Sequence, residues 1–290
     1  MSLQFIMGNS GSGKSYCLYD TVVREAIENP DKNYLVIVPE QFTMQTQKDL
    51  CLAHPKGGIM NIDVLSFGRL AYRVFEEVGQ DALSELAQYG VDFERLDDFM
   101  KEVPPESYLH YKLDDIRTIY EKFEEYLSEK YITKEEMLDV LSDAVPYSDI
   151  LKGSVVAMDG FTGFTPVQNR LIGELFSVCE KVMITVMMDG RENPYVYEHP
   201  YQIFALGKQM VTSLMKIAGE KKTEIEEPIC LFERPVYRFR DCSEMAFLET
   251  ELFRYSGAKY NGSCESVSLH EVRSPGKEAK YVAESIRRLV

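Results

Sequence analysis

The sequence predicts an α/β fold in which a parallel β-sheet is flanked by helices and interrupted by a helical insertion. Three observations lead to this prediction. Short apolar runs, suited to buried strands, alternate with segments of helical character. A glycine-rich loop follows the first of these runs and leads directly into a helix. An acidic helical stretch then separates the first group of strands from a second group.

The first group of strands starts at the amino terminus. Leu3–Met7 is a short apolar run suited to a buried parallel strand. The helix after the glycine loop is predicted from Lys14 to Glu28, and Asn29-Pro30 ends it. Tyr34–Val38 predicts a second buried strand and Ile62–Phe67 a third. Strands that alternate with helices in this way are typical of a single parallel sheet.

A helical insertion is predicted at residues 80–148. Six apolar residues recur there at steps of four and three, namely Leu109, Leu113, Ile116, Tyr120, Phe123 and Leu127. This stripe suits either a helix packed on its own domain or a coiled-coil seam, and its shortness favours the packed helix. Thr133 and Glu136 fit a capping box that starts a further helix.

The second group of strands begins with Val155–Met158 and continues with Val182–Met188. Between them, Thr165, Pro166 and Gln168 predict the start of a helix, because they supply an N-cap, a proline in the first turn and a reciprocal cap. The sheet is therefore expected to resume after the insertion.

The carboxyl-terminal part is predicted to hold one more strand, Ser266–Val272, and a helix from Lys277 to the end. This last helix has no stop signal, so we expect the chain to belong to a longer protein. The predicted divisions are 1–79 for the first part of the sheet domain, 80–148 for the insertion, 149–262 for the remainder and 263–290 for the start of a further domain.

Composition argues against several kinds of site. A net charge of −15, from 32 basic and 47 acidic residues, disfavours a chain that holds DNA by bulk electrostatics, but it is compatible with a local DNA groove. The six cysteines form no CxxC pair and the four histidines are far apart, so neither a zinc site nor a catalytic histidine is predicted. No apolar run approaches the ~20 residues that span a bilayer. We expect a cytoplasmic protein without membrane contact.

The glycine loop matches the phosphate-binding pattern G-x-x-x-x-G-K-[ST]. Its residues are Gly8, Asn9, Ser10, Gly11, Ser12, Gly13, Lys14 and Ser15. Glycines let backbone N–H groups turn inward around phosphate oxygens, and the dipole of the following helix favours the same anion. In this pattern the lysine reaches the β and γ phosphates and the final hydroxyl binds Mg²⁺. The loop predicts ATP with Mg²⁺ as ligands, in a P-loop NTPase fold of the RecA-like kind.

A P-loop also needs a carboxylate on a neighbouring strand to order the magnesium ion. Asp159, which follows the Val155–Met158 strand, is the best candidate. An ATPase usually has a glutamate after this aspartate to position the attacking water, but here Gly160 follows. We therefore expect ATP to bind and hydrolysis to be poor, and we assign no catalytic residue.

The residues from Asp159 to Gln168 resemble a helicase motif. Superfamily 1 helicases carry D-E-F-Q-D-x-x-P-x-Q, and this chain reads DGFTGFTPVQ. The aspartate, phenylalanine, proline and final glutamine keep their spacing, whereas the positions between them have become Gly160, Thr162 and Gly163. The segment looks like part of a helicase motor domain whose catalytic motif has decayed.

Two further segments resemble helicase loops that contact DNA. Val38–Gln45 (VPEQFTMQ) is similar to the loop after the second strand, and Val64–Ala71 (VLSFGRLA) resembles the motif after the third. Together with DGFTGFTP, they make the chain closely similar to the AddB family, the B subunits of bacterial ATP-dependent helicase/deoxyribonucleases. The resemblance implies DNA contacts at five residues, Gln41, Phe42, Ser66, Phe67 and Arg69.

The resemblance also implies a partner and an activity. AddB-type subunits pair with an AddA-type helicase/nuclease subunit, process double-stranded DNA ends for recombinational repair and respond to a Chi-type sequence. Their nuclease domain and iron–sulfur cluster lie near the far end of the subunit, and no position of this chain matches the cluster ligands. The family's insertion is longer than the stretch after Gly79 here. Ser274–Ala279 looks like the start of the second motor domain, within residues 263–290.

Two other functions remain open. A helicase fold retained as a non-catalytic scaffold would grip DNA and a partner subunit, and Gly160 favours this alternative over an active motor. A small-molecule P-loop kinase would keep the glycine loop, but it would not explain DGFTGFTPVQ or PEQF.

Overall fold

The computed structural model describes residues 1–88 and 134–289, together with a few positions between 103 and 118. The chain forms two compact units, Met1–Phe232 and Glu233–Val290. In the described ranges, no helix combines the length and the apolar composition that crossing a membrane requires.

The first unit is built on a seven-stranded sheet whose recorded strand pairs are all parallel. Its strands are β1 (Ser2–Gly8), β2 (Tyr34–Ile37), β3 (Ile62–Leu65), β4 (Val155–Met158), β5 (Lys181–Met187), β6 (Glu224–Ile225) and β7 (Ile229–Leu231). Their order across the sheet is β3-β2-β4-β5-β1-β6, and β7 also pairs with β1. The predicted parallel α/β sheet is confirmed, and its order is consistent with a RecA-like fold.

Helices cover both faces of this sheet. They are α1 (Lys14–Glu28), α2 (Thr43–Ala53), α3 (Phe67–Gln88), α4 (Lys134–Ala144), α5 (Pro166–Val178) and α6 (Ala205–Lys221). Successive side chains of a strand point to opposite faces, so one strand serves two cores. Phe5 and Met7 of β1 belong to the core formed with α3, α4, α5 and α6, whereas Ile6 belongs to the core formed with α1 and α2.

The predicted start of α5 is confirmed in detail. Thr165 Oγ1 accepts a hydrogen bond from the backbone N–H of Gln168 at 3.3 Å, and Gln168 Oε1 accepts one from the backbone N–H of Thr165 at 2.9 Å. Pro166 is the first residue of the helix. These reciprocal bonds satisfy two N–H groups that the first turn of a helix leaves without partners.

The third strand is shorter than predicted. It ends at Leu65, because Ser66 caps the helix that follows: its Oγ accepts from the backbone N–H of Arg69 at 3.4 Å, and its backbone oxygen accepts from Leu70 at 2.9 Å. Phe67 therefore begins α3 rather than ending a strand.

The strand predicted at Ser266–Val272 is wrong. These residues have irregular structure, and Leu269 is 98% exposed. An apolar run forms a strand only where a neighbouring strand offers backbone groups for pairing. The α-helices in the described part of the second unit lie on either side of this segment and are α7 (Ser243–Glu251) and α8 (Pro275–Leu289). The helix α8 confirms the predicted terminal helix.

The two described ends of the predicted insertion belong to the first unit. The helix α3 runs without a break across the boundary expected at residues 79–80, and Leu138 and Leu141 of α4 are buried in the main core. Apart from Leu109, the apolar stripe that ends at Leu127 lies outside the described residues. Thr133, the expected N-cap of the predicted capping box with Glu136, also lies outside them. The finer division into 1–79, 80–148, 149–262 and 263–290 stays a prediction.

Candidate nucleotide-binding site

The glycine loop joins the end of β1 to the start of α1. A Cβ atom at Gly8 would collide with Ser12 Oγ and lie 2.9 Å from the backbone oxygen of Leu231, so only glycine fits there. Gly13, immediately before α1, has a φ of 94°, in the left-handed region that favours glycine. The path of this loop therefore depends on the glycines that the phosphate-binding pattern specifies.

The polar groups of the loop suit a phosphate. Lys14 Nζ donates to the backbone oxygens of Gly8 at 2.9 Å and of Asn9 at 2.8 Å, which places the ammonium group against the loop. Ser12 Oγ is buried and lacks a hydrogen-bond partner among the described residues. Ser10 and Ser15 are exposed, and Ser15 stands in the first turn of the 15-residue helix α1. A cation, an unsatisfied hydroxyl and a helix amino terminus together fit a phosphate group.

Asn9 ties the loop to the end of β5. Its Nδ2 donates to Asp189 Oδ2 at 3.2 Å, and both residues are buried. Asp189 also accepts from Nη2 of Arg191 at 2.7 Å. The sequence analysis missed this aspartate, although the sequence Met-Asp-Gly that ends at Gly190 repeats the Met-Asp-Gly at Asp159. That repetition at two strand ends was the signal that could have found it.

Asp159 follows β4 and is 8% exposed. Thr185 of β5 donates to its Oδ1 at 2.7 Å, and Tyr19 Oη of α1 donates to its Oδ2 at 2.8 Å. Burial, and then the negative charge of Asp159, raise the pKa of Tyr19 well above its ordinary value, so the phenol keeps its proton. Two donors from different elements thus hold the carboxylate that was predicted to order magnesium.

The end of β5 lies between Asp159 and the glycine loop, because β5 is the strand between β4 and β1. Met187 is the last residue of β5, and its Sδ is 3.8 Å from Lys14 Nζ. A thioether is a weak acceptor and carries no proton. Met187, the last residue of the strand that separates the two halves of the site, therefore cannot activate water.

Gly160 has a φ of 78°, in the left-handed region. A Cβ atom there would lie 3.5 Å from Pro39 Cδ and 3.9 Å from Phe42 Cδ2. The position that holds a glutamate in the helicase motif therefore has here a backbone conformation that an L residue rarely adopts.

Four of the predicted DNA-contact residues lie around Glu40. Gln41 and Phe42 are exposed in a 3₁₀ turn at Glu40–Phe42, directly before α2. Ser66 Oγ donates to Glu40 Oε2 at 3.0 Å, and Arg69 Nε lies 3.8 Å from Glu40 Oε1. Glu40 therefore joins the segment after β2 to the segment after β3, the two that resemble DNA-contacting loops.

Phe67, the fifth predicted DNA-contact residue, is 7% exposed. Its ring centroid lies 5.4 Å from that of Phe161 and 6.3 Å from that of Phe164. These two phenylalanines belong to the DGFTGFTP segment, and the sequence analysis did not assign them a role. The three rings fix the segment after Asp159 against the start of α3, and burial leaves little of Phe67 for a ligand.

A magnesium ion at this site would need ligands beyond the protein. In the described part of the chain, no group of three or more His, Cys, Asp or Glu side chains is arranged to hold a metal ion. Mg²⁺ in nucleotide sites commonly takes one or two protein ligands and completes its shell with phosphates and water. Ser15 and Asp159 fit that pattern of ligands.

Comparison with known proteins adds a family and named relatives. The family model described as "ADDB, N-terminal" matches residues 5–83 and 80–249. Several relatives are named as B subunits of ATP-dependent helicase/deoxyribonucleases. One from Lachnoclostridium phytofermentans is 36% identical over 337 aligned positions, which cover 100% of this chain and 29% of the relative. Those from Clostridium acetobutylicum and Thermoanaerobacter sp. are 30% and 31% identical, again over 100% of this chain and over 28% and 29% of their own lengths.

The chain thus spans less than a third of the length of these relatives. The alignment of 337 positions exceeds the 290 residues of the chain, so the relatives contain residues without a counterpart here. The two matched segments of the family model meet at residues 80–83, close to Gly79, where the sequence indicates a shortened insertion. Since the family model covers most of the chain, the chain belongs to the AddB N-terminal family.

Proposed function

We propose that this chain binds ATP with Mg²⁺ at residues 8–15 and hydrolyses it slowly. The observation that carries the proposal is the glycine loop, in which Lys14 lies against the loop and the buried Ser12 hydroxyl lacks a partner among the described residues. Backbone N–H groups of the loop would bind the phosphates, and Lys14 would neutralise their charge. Ser15 and Asp159 would hold the magnesium ion.

Slow hydrolysis has two physical reasons in this proposal. Phosphoryl transfer to water needs a group that orients the nucleophile. Gly160 has no side chain for this task, and Met187 offers only a thioether at the end of the strand between Asp159 and the loop. The proposed charge clamp would therefore lack a water-positioning side chain at the two positions Gly160 and Met187.

The wider proposal follows the names of the relatives together with the resemblance of the sequence motifs to the AddB family. The chain would be the N-terminal, helicase-like region of a subunit that pairs with an AddA-type subunit, processes double-stranded DNA ends for recombinational repair and takes part in recognition of a Chi-type sequence. Nuclease chemistry and an iron–sulfur cluster would belong to residues beyond this chain. Exposed Gln41, Phe42 and Arg69 are the candidates for direct DNA contact, with Ser66 and Phe67 placing them.

A non-catalytic scaffold is the second candidate, and the left-handed backbone at Gly160 favours it. In that case ATP binding would stabilise a fold that grips DNA and the partner subunit, and turnover would come from the partner alone. Measuring ATP turnover by the assembled complex, with the P-loop of the partner disabled, would distinguish the two candidates.

The experiment that tests ATP binding is calorimetry on the chain and on its Lys14→Ala variant. Loss of a charge-assisted contact to the phosphates is worth about 1.5–3 kcal/mol, so the affinity for Mg²⁺–ATP should fall about 10- to 150-fold. Lys216→Ala is the matched control, because Lys216 is 80% exposed on α6 and distant in sequence from the loop. Equal affinity of the wild type and the Lys14 variant would show that the loop does not bind the nucleotide.

A further inference from the structure

The geometry points to Tyr19 as a positioning residue for magnesium, acting through the carboxylate of Asp159. This inference rests on the proposed binding of Mg²⁺–ATP. Tyr19 would touch neither the metal nor the nucleotide. Its hydroxyl group would hold Asp159 in the orientation that the metal requires.

The first support is the hydrogen bonding of Asp159. Its Oδ2 accepts from Tyr19 Oη at 2.8 Å and its Oδ1 accepts from Thr185 Oγ1 at 2.7 Å, so donors on opposite sides oppose rotation of the carboxylate. Each carboxylate oxygen can accept more than one hydrogen bond. A carboxylate held in this way can still accept from water in the shell of a magnesium ion.

The second support is the position of Tyr19 on α1. Ser15 and Tyr19 are four residues apart on one helix, so their side chains leave the same face. Ser15 would bind the metal directly, and Tyr19 orients the other protein group that would bind it. The single helix α1, which begins at the glycine loop, therefore sets the positions of both side chains.

The third support is the cost of a buried hydroxyl. Tyr19 is 8% exposed and packs among the apolar residues between α1, α2 and the sheet, where a phenylalanine ring would serve equally well. A hydroxyl group in such a place must be offset by hydrogen bonds. Here it lies 2.8 Å from Asp159 and 3.2 Å from Thr46 Oγ1 on α2. Packing alone does not account for the choice of tyrosine.

The test compares ATP affinity with Mg²⁺ and with EDTA, and the ratio of the two is the magnesium gain. In Tyr19→Phe we expect this gain to fall about three- to tenfold, the equivalent of one net hydrogen bond, while the affinity in EDTA changes by less than about twofold. Tyr16→Phe is the control, because Tyr16 lies on the same helix and is 74% exposed. If Tyr19 only packs, both affinities would change alike or neither would change, and either result would overturn the inference.

Thr185→Val provides a second variant, in case Tyr19→Phe folds poorly. It removes the other donor to Asp159, and its magnesium gain should fall by a similar factor. A double-mutant cycle then identifies the route of action. Tyr19→Phe should have no further effect on the gain in an Asp159→Asn background, and an undiminished effect there would show that Tyr19 acts by another route.

The same data separate this inference from the proposed function. A wild-type chain that binds no ATP under either condition would refute the proposed function, and the inference would fall with it. A wild-type chain with a clear magnesium gain that stays unchanged in a folded Tyr19→Phe variant would refute the inference alone.

Discussion

Gly160 stands where the helicase motif has a glutamate, and its backbone lies in the left-handed region. The sequence reveals the missing glutamate side chain, and that part was predictable. The backbone was not, because its φ of 78° depends on how the segment after β4 passes Pro39 and Phe42. An L residue in the left-handed region costs about 1–2 kcal/mol. A glutamate restored at this position would therefore be strained, and its side chain would start against Pro39 and Phe42.

We expect the purified chain to hydrolyse ATP slowly, and Gly160→Glu not to accelerate it. General-base assistance is typically worth about 10²–10⁴-fold, but it requires a well-placed carboxylate, and the strained backbone at this position would not hold one in place. The measurement is steady-state phosphate release with and without single-stranded DNA. Rapid, DNA-stimulated turnover by the wild type would show that another group positions the water.

A control at Gly163 distinguishes the effect of backbone strain at Gly160 from the effect of simply adding a glutamate to this segment. Nothing lies within 4 Å of a Cβ atom built there, and Gly163 is not among the positive-φ residues. Gly163→Glu should therefore fold like the wild type, and its turnover should also match.

The ends of individual elements were predictable where adjacent residues decide them. Thr165 and Gln168 form the predicted capping box because both partners lie within one turn. The strand predicted at Ser266–Val272 failed because a strand requires a partner that the local sequence does not specify. The hydrogen bonds to Asp159 could not be predicted for the same reason. Its donors Tyr19 and Thr185 come from elements that only the folded sheet brings together.

The turn before α2 is where we expect an exposed aromatic ring to contact DNA. Phe42→Ala should weaken binding of a single-stranded oligonucleotide by about 1–3 kcal/mol, the usual worth of a base stacked on an aromatic ring. Leu52→Ala is the control, since Leu52 is 74% exposed at the other end of α2, whereas Phe42 is 48% exposed. Fluorescence anisotropy at one fixed salt concentration would measure both. Equal losses would indicate non-specific apolar contact instead of a defined site.

At the scale of the whole molecule, the sequence predicted the parallel sheet and the family, but it did not predict the order of strands. The apolar runs identify β4 and β5 separately, and only the fold shows that β5 lies between β4 and β1. That order brings Met187 to Lys14, a contact between residues far apart in the chain. Non-local contacts of this kind leave no periodic trace in a sequence.

The purified chain should not cleave DNA. Metal-dependent cleavage needs a cage of ligands for its ions, and the described ranges contain no suitable group of three or more His, Cys, Asp or Glu side chains. Incubation of end-labelled duplex DNA with Mg²⁺ or Mn²⁺ should leave it intact. Degradation that persists through repeated purification, and that follows the protein peak, would contradict this expectation.

The placement of β1 has a consequence for how the protein is made. This strand is synthesised before every other strand of the sheet, yet the strands beside it are β5, β6 and β7, which begin at Lys181, Glu224 and Ile229. Pairings between such distant segments form late, because a long loop must close before they contribute. Gly8 lies beside Leu231, so the glycine loop acquires its final shape only after that residue has been synthesised. The nascent chain should thus be unable to hold ATP until most of these residues have emerged.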